Sequence, residues 1–357
     1  MERRFNWIDR LLAAGFVRPG VLISGLRLGR PALSRCPITV PMALSGLVLE
    51  PFAWLQTALY ARALKRADLP DDPLVVIGHW RSGTTYLHQL LACDPRTATA
   101  RNALTIAPQA ALVLKPVIRL GLKRWMTRIR PIDAVPWGPD DPQEDEVGLA
   151  RLTMDTNMAG MAFPRDYLFH FWRTVTETSH RFERQWLHFS RLTWLHDGQG
   201  KTQWLIKNSV HTARVAMVLK HFPRARFILL RREPLDAVRS LVQVKQRLAG
   251  LVGLQPSPSL RQQVEETAIA HAELLERFEA CRSQIPAGQL LELDYSDLVD
   301  QPLKSVRRIY DAFQLSSWAE AEAPLRARIQ QARDYRPDPV RLPPEAEQHL
   351  RSCMARS

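Results

Sequence analysis

Only four cysteines occur in 357 residues: Cys36, Cys93, Cys281 and Cys353. They are far apart and form no CxxC pair, which argues against a structural zinc site and against a disulfide framework. Such sparse cysteine usage fits a reducing compartment. The chain also lacks an uninterrupted apolar run near its start, because Arg10, Arg18, Arg27 and Arg30 break the segment up. A cleaved secretory signal is therefore not expected, and the expected location is cytoplasmic, with association at the inner face of a membrane as an extension of it. No RNA-recognition, zinc-finger or helix-turn-helix pattern occurs, so nucleic acid is not an expected partner. Internal repeats, low-complexity segments and a convincing metal cluster are missing too.

What is present suits a globular enzyme. Apolar residues make up 46% of the chain, enough for a sizeable core, and charged residues 24%. The net charge is +13. That balance favours anionic partners such as nucleotides, sulfated or phosphorylated substrates and anionic membranes. Residues 1–70 carry no strand signal and are expected to form a helical extension. The span Ile38–Tyr60 is the most apolar, but it holds Pro41, Glu50 and Pro51. Buried helices split at Pro51 are the first expectation there, a peripheral membrane contact the second and a true span the third.

From residue 71 onward strands and helices alternate. Leu74-Val75-Val76-Ile77 is a short, all-apolar run that suits a parallel strand buried on both faces. Trp204-Leu205-Ile206, Arg226–Leu230 and Leu290–Leu293 read as further strands. Helices are predicted over Thr84–Cys93, His211–His221, Pro234–Ala249, Gln262–Arg282 and Pro302–Phe313. This order implies βαβ units and an α/β fold: a P-loop-like, three-layer domain over 71–357 with a mostly parallel central sheet.

Between the first strand and its helix lies Gly78-His79-Trp80-Arg81-Ser82-Gly83-Thr84-Thr85. This is the Walker A spacing with Thr84 where the lysine should stand. Backbone N–H groups and a helix N-terminus still favour an anion there. The lysine that neutralises β/γ-phosphates in phosphoryl transfer is missing, and Arg81 supplies a cation from inside the loop instead. The loop suits a 5′-phosphate bearing one more anionic group better than ATP with magnesium. The plainer alternative is a tight turn whose Ser82 and Thr84 cap a helix.

The run RSGTTYLHQLLACDP resembles the 5′-phosphosulfate loop of sulfotransferases that use 3′-phosphoadenosine 5′-phosphosulfate (PAPS). Trp204-Leu205-Ile206-Lys207, followed by His211, is similar to the strand and turn that deliver a catalytic lysine and histidine in that family. FPRARFILLRREPLDAVRS resembles the family's 3′-phosphate segment, and Tyr295–Pro302 its late YxDLxxxP segment. The resemblance covers residues 73–315 in family order. It implies a PAPS-dependent sulfotransferase that releases adenosine 3′,5′-bisphosphate and needs no metal. It assigns Arg81, Ser82, Gly83, Thr84, Thr85 and Tyr86 to the 5′ end of the nucleotide, and Arg232 and Ser240 to the 3′-phosphate. A strand-end arginine and a serine two turns into the next helix can both face the crevice at the carboxyl ends of the strands. The basic-glycine loop of the cytosolic enzymes has no clear counterpart; Arg333-Asp334-Tyr335-Arg336 is the one substitute the sequence offers.

Sulfuryl transfer needs a base for the acceptor proton and cations for the moving charge. Lys207, at the end of a buried strand, and Arg81 are the expected cations. Two sources of the base stay open. His211 lies four positions after Lys207, whereas the family histidine lies two after, at Ser209 here. The rivals are Glu144 and Glu146, in an acidic run that bacterial members also carry. Asp141-Pro142-Gln143-Glu144 is equally a capping-box pattern. His79 is expected to position or pack.

Lys115, Arg119, Lys123, Arg124, Arg128 and Arg130 alternate with Leu114, Ile118, Leu122, Trp125 and Ile129 at helical spacing. This basic amphipathic helix fits a solvated face over a core contact, an anionic membrane, or guidance of an acidic acceptor. The acceptor is expected to present a hydroxyl on a lipid, another apolar small molecule or a glycan. The rivals are a P-loop kinase or nucleotide hydrolase, and an inert membrane-associated module of the same fold.

Overall fold

The structure is a computed structural model and describes residues 5–127, 130, 132, 135, 137–332 and 340–355. Five parallel strands form the central sheet: β1 Leu74–Ile77, β2 Thr97–Ala98, β3 Gln203–Lys207, β4 Arg226–Arg231 and β5 Leu290–Asp294. Their spatial order is β2-β3-β1-β4-β5. Register places Val76 opposite both Lys207 and Ile228, so the functional ends of β1, β3 and β4 finish side by side.

Alternation along each strand explains the layers. Val75, Ile77, Trp204, Ile206, Phe227 and Leu229 enter one core with Phe182, Trp186, Phe189 and Leu192 of helix His180–Asp197. Leu74, Val76, Leu205, Ile228 and Leu230 enter the opposite core with Leu87, Leu90 and Leu91 of helix Thr84–Leu91, and with Val306 and Ile309 of helix Pro302–Ala312. With helices on both faces, every residue of β1 is buried.

Four of the five strands match the expected runs. β2 has only two residues and no periodic run of its own, and it is recruited by pairing Thr97 with Gln203. The helix expected from His211 is a short helical turn, Ser209–Ala213, followed by helix Val215–His221.

Two expectations are corrected. Cys36–Arg66 is one continuous helix with Pro41 and Pro51 inside it, not helices split at Pro51. Both prolines lie on the exposed side, so the carbonyls they release four residues back are not trapped in a core. Nor is this segment mostly buried: Val40, Leu44, Leu47, Val48, Trp54, Leu55 and Leu59 are exposed, while Ile38, Leu49, Ala53 and Leu64 face inward. The second correction concerns the capping box. Helix Asp145–Leu149 starts after Glu144, and Glu144 makes no side-chain cap. Its side chain turns toward β3 instead.

Candidate active site

The turn after β1 is held open by backbone geometry. Gly78 has φ 135° and Gly83 φ 91°, and a side chain on Gly83 would bring its Cβ to 2.5 Å from the Tyr295 ring. Arg81 itself adopts φ 70°, uncommon for a non-glycine residue. Arg232, just past β4, donates from Nη1 to the Arg81 carbonyl at 2.7 Å and stacks its guanidinium over Tyr295 at 4.4 Å. Arg81 Nε in turn donates to Ser240 Oγ at 3.0 Å. Ser240 lies on helix Pro234–Leu251. The structure thus brings Arg81, Arg232 and Ser240 into one chain of contacts. The late Tyr295 segment gives that chain a floor.

Inside the turn, Ser82 donates to the His79 carbonyl from both its N–H, at 3.1 Å, and its hydroxyl, at 2.6 Å. Gly83 opens helix Thr84–Leu91, whose first residues are Thr84, Thr85 and Tyr86. Burial pushes the Tyr86 hydroxyl up, against the pull of Arg328. His79 is buried, with Nδ1 2.6 Å from the Trp80 carbonyl and its ring 4.2 Å from that of His271. Burial and His271 hold it well below the usual imidazole range, so it stays neutral. That is a packing and positioning geometry.

On the other side of β1, Lys207 closes β3. Its Nζ lies 2.5 Å from Glu144 Oε2, and both side chains are almost enclosed. The second oxygen of Glu144 accepts the Ser209 N–H at 2.9 Å. The acidic run therefore splits by role. Glu146 is pinned to Arg214 at 2.8 Å, with side-chain exposures of 1% and 0%. Arg214 also bonds the Thr174 carbonyl and lies 3.8 Å over the Phe182 ring. Burial raises the Glu146 carboxyl and lowers the Arg214 guanidinium, each opposed by the other's charge. Asp145, between Glu144 and Glu146 in the chain, is pushed up to about 8 by burial and then by these carboxylate neighbours.

His211 is fully buried. Its ring lies edge-on to Trp186, with centroids 5.1 Å apart. Neither ring nitrogen has a hydrogen-bond partner in the structure. Burial, reinforced by Arg214, holds it well below its ordinary value. Lys207 and Glu144 are in direct contact, then, and His211 is packed into the core beside Trp186.

A cavity of about 250 Å³ adjoins Glu144. Its walls are mainly apolar, among them Leu22, Met42, Leu122, Met154, Met158 and Phe163, and Glu144 lies in the wall. Helices Trp7–Ala14 and Pro19–Leu28 contribute to the lining. The Arg333–Arg336 stretch lies outside the described residues. Among the described residues, no group of three or more histidines, cysteines or carboxylates could hold a metal ion. Inspection of the sequence missed Arg214 and the part played by Tyr295. An arginine inside the otherwise apolar stretch Ala213–Leu219 was the available signal for the first.

A family model described as the sulfotransferase family matches residues 73–320. The omega-hydroxy-beta-dihydromenaquinone-9 sulfotransferase Stf3 of Mycobacterium bovis is 25% identical over 293 residues, spanning 80% of this chain and 74% of that protein. The Stf3 protein of Mycobacterium tuberculosis gives the same values. Among solved structures, sulfotransferase STF9 from Mycobacterium avium superposes with a TM-score of 0.67 at 21% identity, covering 93% of this chain and 88% of that one. STF1 from Mycobacterium tuberculosis H37Rv gives 0.68 at 17% identity, covering 99% and 94%. These two share the fold over the helical extension as well as the sheet.

Proposed function

The chain belongs to the sulfotransferase family and is an enzyme of sulfuryl transfer, and from that premise we propose that its donor is PAPS and its acceptor a hydroxyl on an apolar molecule. One observation carries this: Glu144 stands in the wall of the apolar cavity while its carboxylate holds Lys207 at the end of β3. A single carboxylate so placed faces the acceptor on one side and, on the other, the Lys207 cation that would meet the donor.

The residues around the turn fit a nucleotide with two anionic ends. N–H groups at the start of helix Thr84–Leu91, with Arg81 and Ser82, suit the phosphosulfate end. Arg232 and Ser240, joined through Arg81, suit a 3′-phosphate. Buried Ser209 Oγ and His79 Nε2, which make no hydrogen bond within the protein, fit a site whose ligand supplies their partners. When bound, PAPS supplies the sulfuryl group and leaves as adenosine 3′,5′-bisphosphate once its bridging S–O bond breaks.

Glu144 is the base of this proposed reaction. It takes the acceptor's hydroxyl proton as that oxygen bonds to sulfur. Lys207 exchanges Glu144 Oε2 for the developing negative charge, which frees that oxygen for the proton. The Ser209 N–H keeps the carboxylate in place. Glu146 and Arg214 act as positioning residues, fixing the segment that carries Glu144. The absent Walker lysine disfavours the kinase reading. The acceptor follows from the cavity's wall and from the Stf3 relative, whose name specifies an omega-hydroxylated menaquinone.

A transfer assay with sulfur-labelled PAPS tests this function. Primary alcohols on prenyl or alkyl chains should be labelled with kcat/KM rising about tenfold for every two methylenes that enter the cavity, until its length is filled. Labelling of a disaccharide in preference to every long-chain alcohol would reject the acceptor class.

A further inference from the structure

Among the described residues, most of the exposed large apolar side chains sit on the N-terminal helices and on helix Lys115–Trp125. On helix Cys36–Arg66, Val40, Leu44, Leu47, Val48, Pro51, Trp54, Leu55 and Leu59 fall on one arc, since steps of 100° per residue bring them to the same side. From Val40 to Leu59 this stripe runs about 28 Å at 1.5 Å per residue. It contains no charge: Glu50, the one acid in the helix, turns inward to Arg18. The helix is long and apolar enough to cross a membrane. Its other face is tied to the domain, however. Gln56 donates to the Pro108 carbonyl at 2.9 Å and accepts the Leu112 N–H at 2.7 Å, while Leu49 packs in the Ile118 cluster. A helix held along one flank lies on a bilayer rather than through it.

Charge selects the partner. The stripe ends in exposed Arg62, Lys65 and Arg66. Exposed Arg27 and Arg30 follow Ile23 and Leu26 on the preceding helix. Helix Lys115–Trp125 starts just past the turn that Gln56 holds, and it exposes Val117, Leu120 and Trp125 together with Lys123 and Arg124. Apolar stripes with tryptophans and basic ends suit lipid headgroups, whereas a second copy of the chain would set these cations against one another. We propose that this surface docks the enzyme on the face of an anionic phospholipid bilayer. The acceptor then enters the cavity from the lipid, because helices Pro19–Leu28, Cys36–Arg66 and Lys115–Trp125, which carry this surface, also line the cavity through Leu22, Met42 and Leu122. This last step rests on the apolar acceptor proposed above; the docking itself does not.

Co-sedimentation of the full chain with vesicles tests it without any assay of activity. At low salt, wild type should bind phosphatidylcholine–phosphatidylglycerol vesicles about tenfold or more tightly than phosphatidylcholine alone. Leu44→Glu, Trp54→Glu and Leu59→Glu combined should reduce that binding by more than about tenfold. An unchanged melting temperature and an unchanged shift with adenosine 3′,5′-bisphosphate would show that the variant stays folded and keeps its donor site. Arg62→Gln, Lys65→Gln and Arg66→Gln combined should abolish most of the preference for anionic lipid. Vesicle binding that survives the glutamates, or no binding by wild type, would overturn the proposal. So would a wild-type dimer, seen by sedimentation velocity, that the glutamates dissociate while vesicles bind neither protein.

Discussion

Glu144→Gln lowers kcat by about 10²–10⁴-fold while adenosine 3′,5′-bisphosphate still binds with near wild-type affinity. The substitution keeps shape and polarity, so the Ser209 N–H retains an acceptor. It removes the ability to take a proton and weakens the hold on Lys207. Single-turnover transfer from saturating PAPS separates this loss from binding, because a residue that acts only in the transition state changes kcat and kcat/KM together. His211→Asn is the companion measurement. Its ring is buried against Trp186 and held neutral, so its loss should reduce stability while the turnover of folded enzyme changes less than about threefold. If His211→Asn abolishes turnover and Glu144→Gln leaves it intact, the proton is taken elsewhere than proposed.

Glu146→Gln produces a different loss, two residues away. The pair with Arg214 is almost wholly enclosed, and removing one partner strands a guanidinium in the core. A cost of about 3–5 kcal/mol is expected, seen as a fall in Tm of roughly 5–15 °C. The affinity for adenosine 3′,5′-bisphosphate should remain, because Glu146 touches none of Arg81, Arg232 or Ser240 in the structure. Replacing both partners together, Glu146→Leu with Arg214→Met, should recover most of the stability, since neither charge is then left alone. A double variant no more stable than the single one would mean that the pair supplies more than mutual compensation. A single variant with wild-type Tm and lost turnover would instead make Glu146 a direct participant in the chemistry.

These two glutamates show what the sequence made visible and what it hid. The strands were legible because residues buried on both faces form short, all-apolar runs, as in Leu74–Ile77. The turn after β1 was legible because its glycines and its missing lysine sit at fixed spacing, and the nearness of Arg232 and Ser240 to it because strand end and helix face are set locally. The partner of Lys207 was not legible. His211 follows Lys207 closely in sequence, but only the path of the segment after residue 140 brings Glu144 onto Lys207 and turns Glu146 to Arg214. The capping-box pattern at Asp141–Glu144 misled for the same reason. Tertiary contact with Lys207 and Ser209 outweighed a local cap that stabilises by only about 1 kcal/mol. The long helix through Pro51 escaped notice because prolines argue against a helix interior. Their cost is lower where the carbonyls they release are not buried, and exposure cannot be read from spacing alone.

The proposed donor site is a two-point grip on a nucleotide that carries both a 5′-anion and a 3′-phosphate. Its most direct test is thermal unfolding of the wild-type chain and of Arg232→Ala, each with adenosine 3′,5′-bisphosphate, with adenosine 5′-monophosphate, and with ATP and magnesium. At a hundredfold excess over its dissociation constant, the bisphosphate should stabilise wild type by about 2.7 kcal/mol. At the same concentrations the monophosphate and ATP should give far smaller shifts, and Arg232→Ala should lose most of the response to the bisphosphate. A shift with ATP and magnesium and none with the bisphosphate would rule out PAPS as the donor.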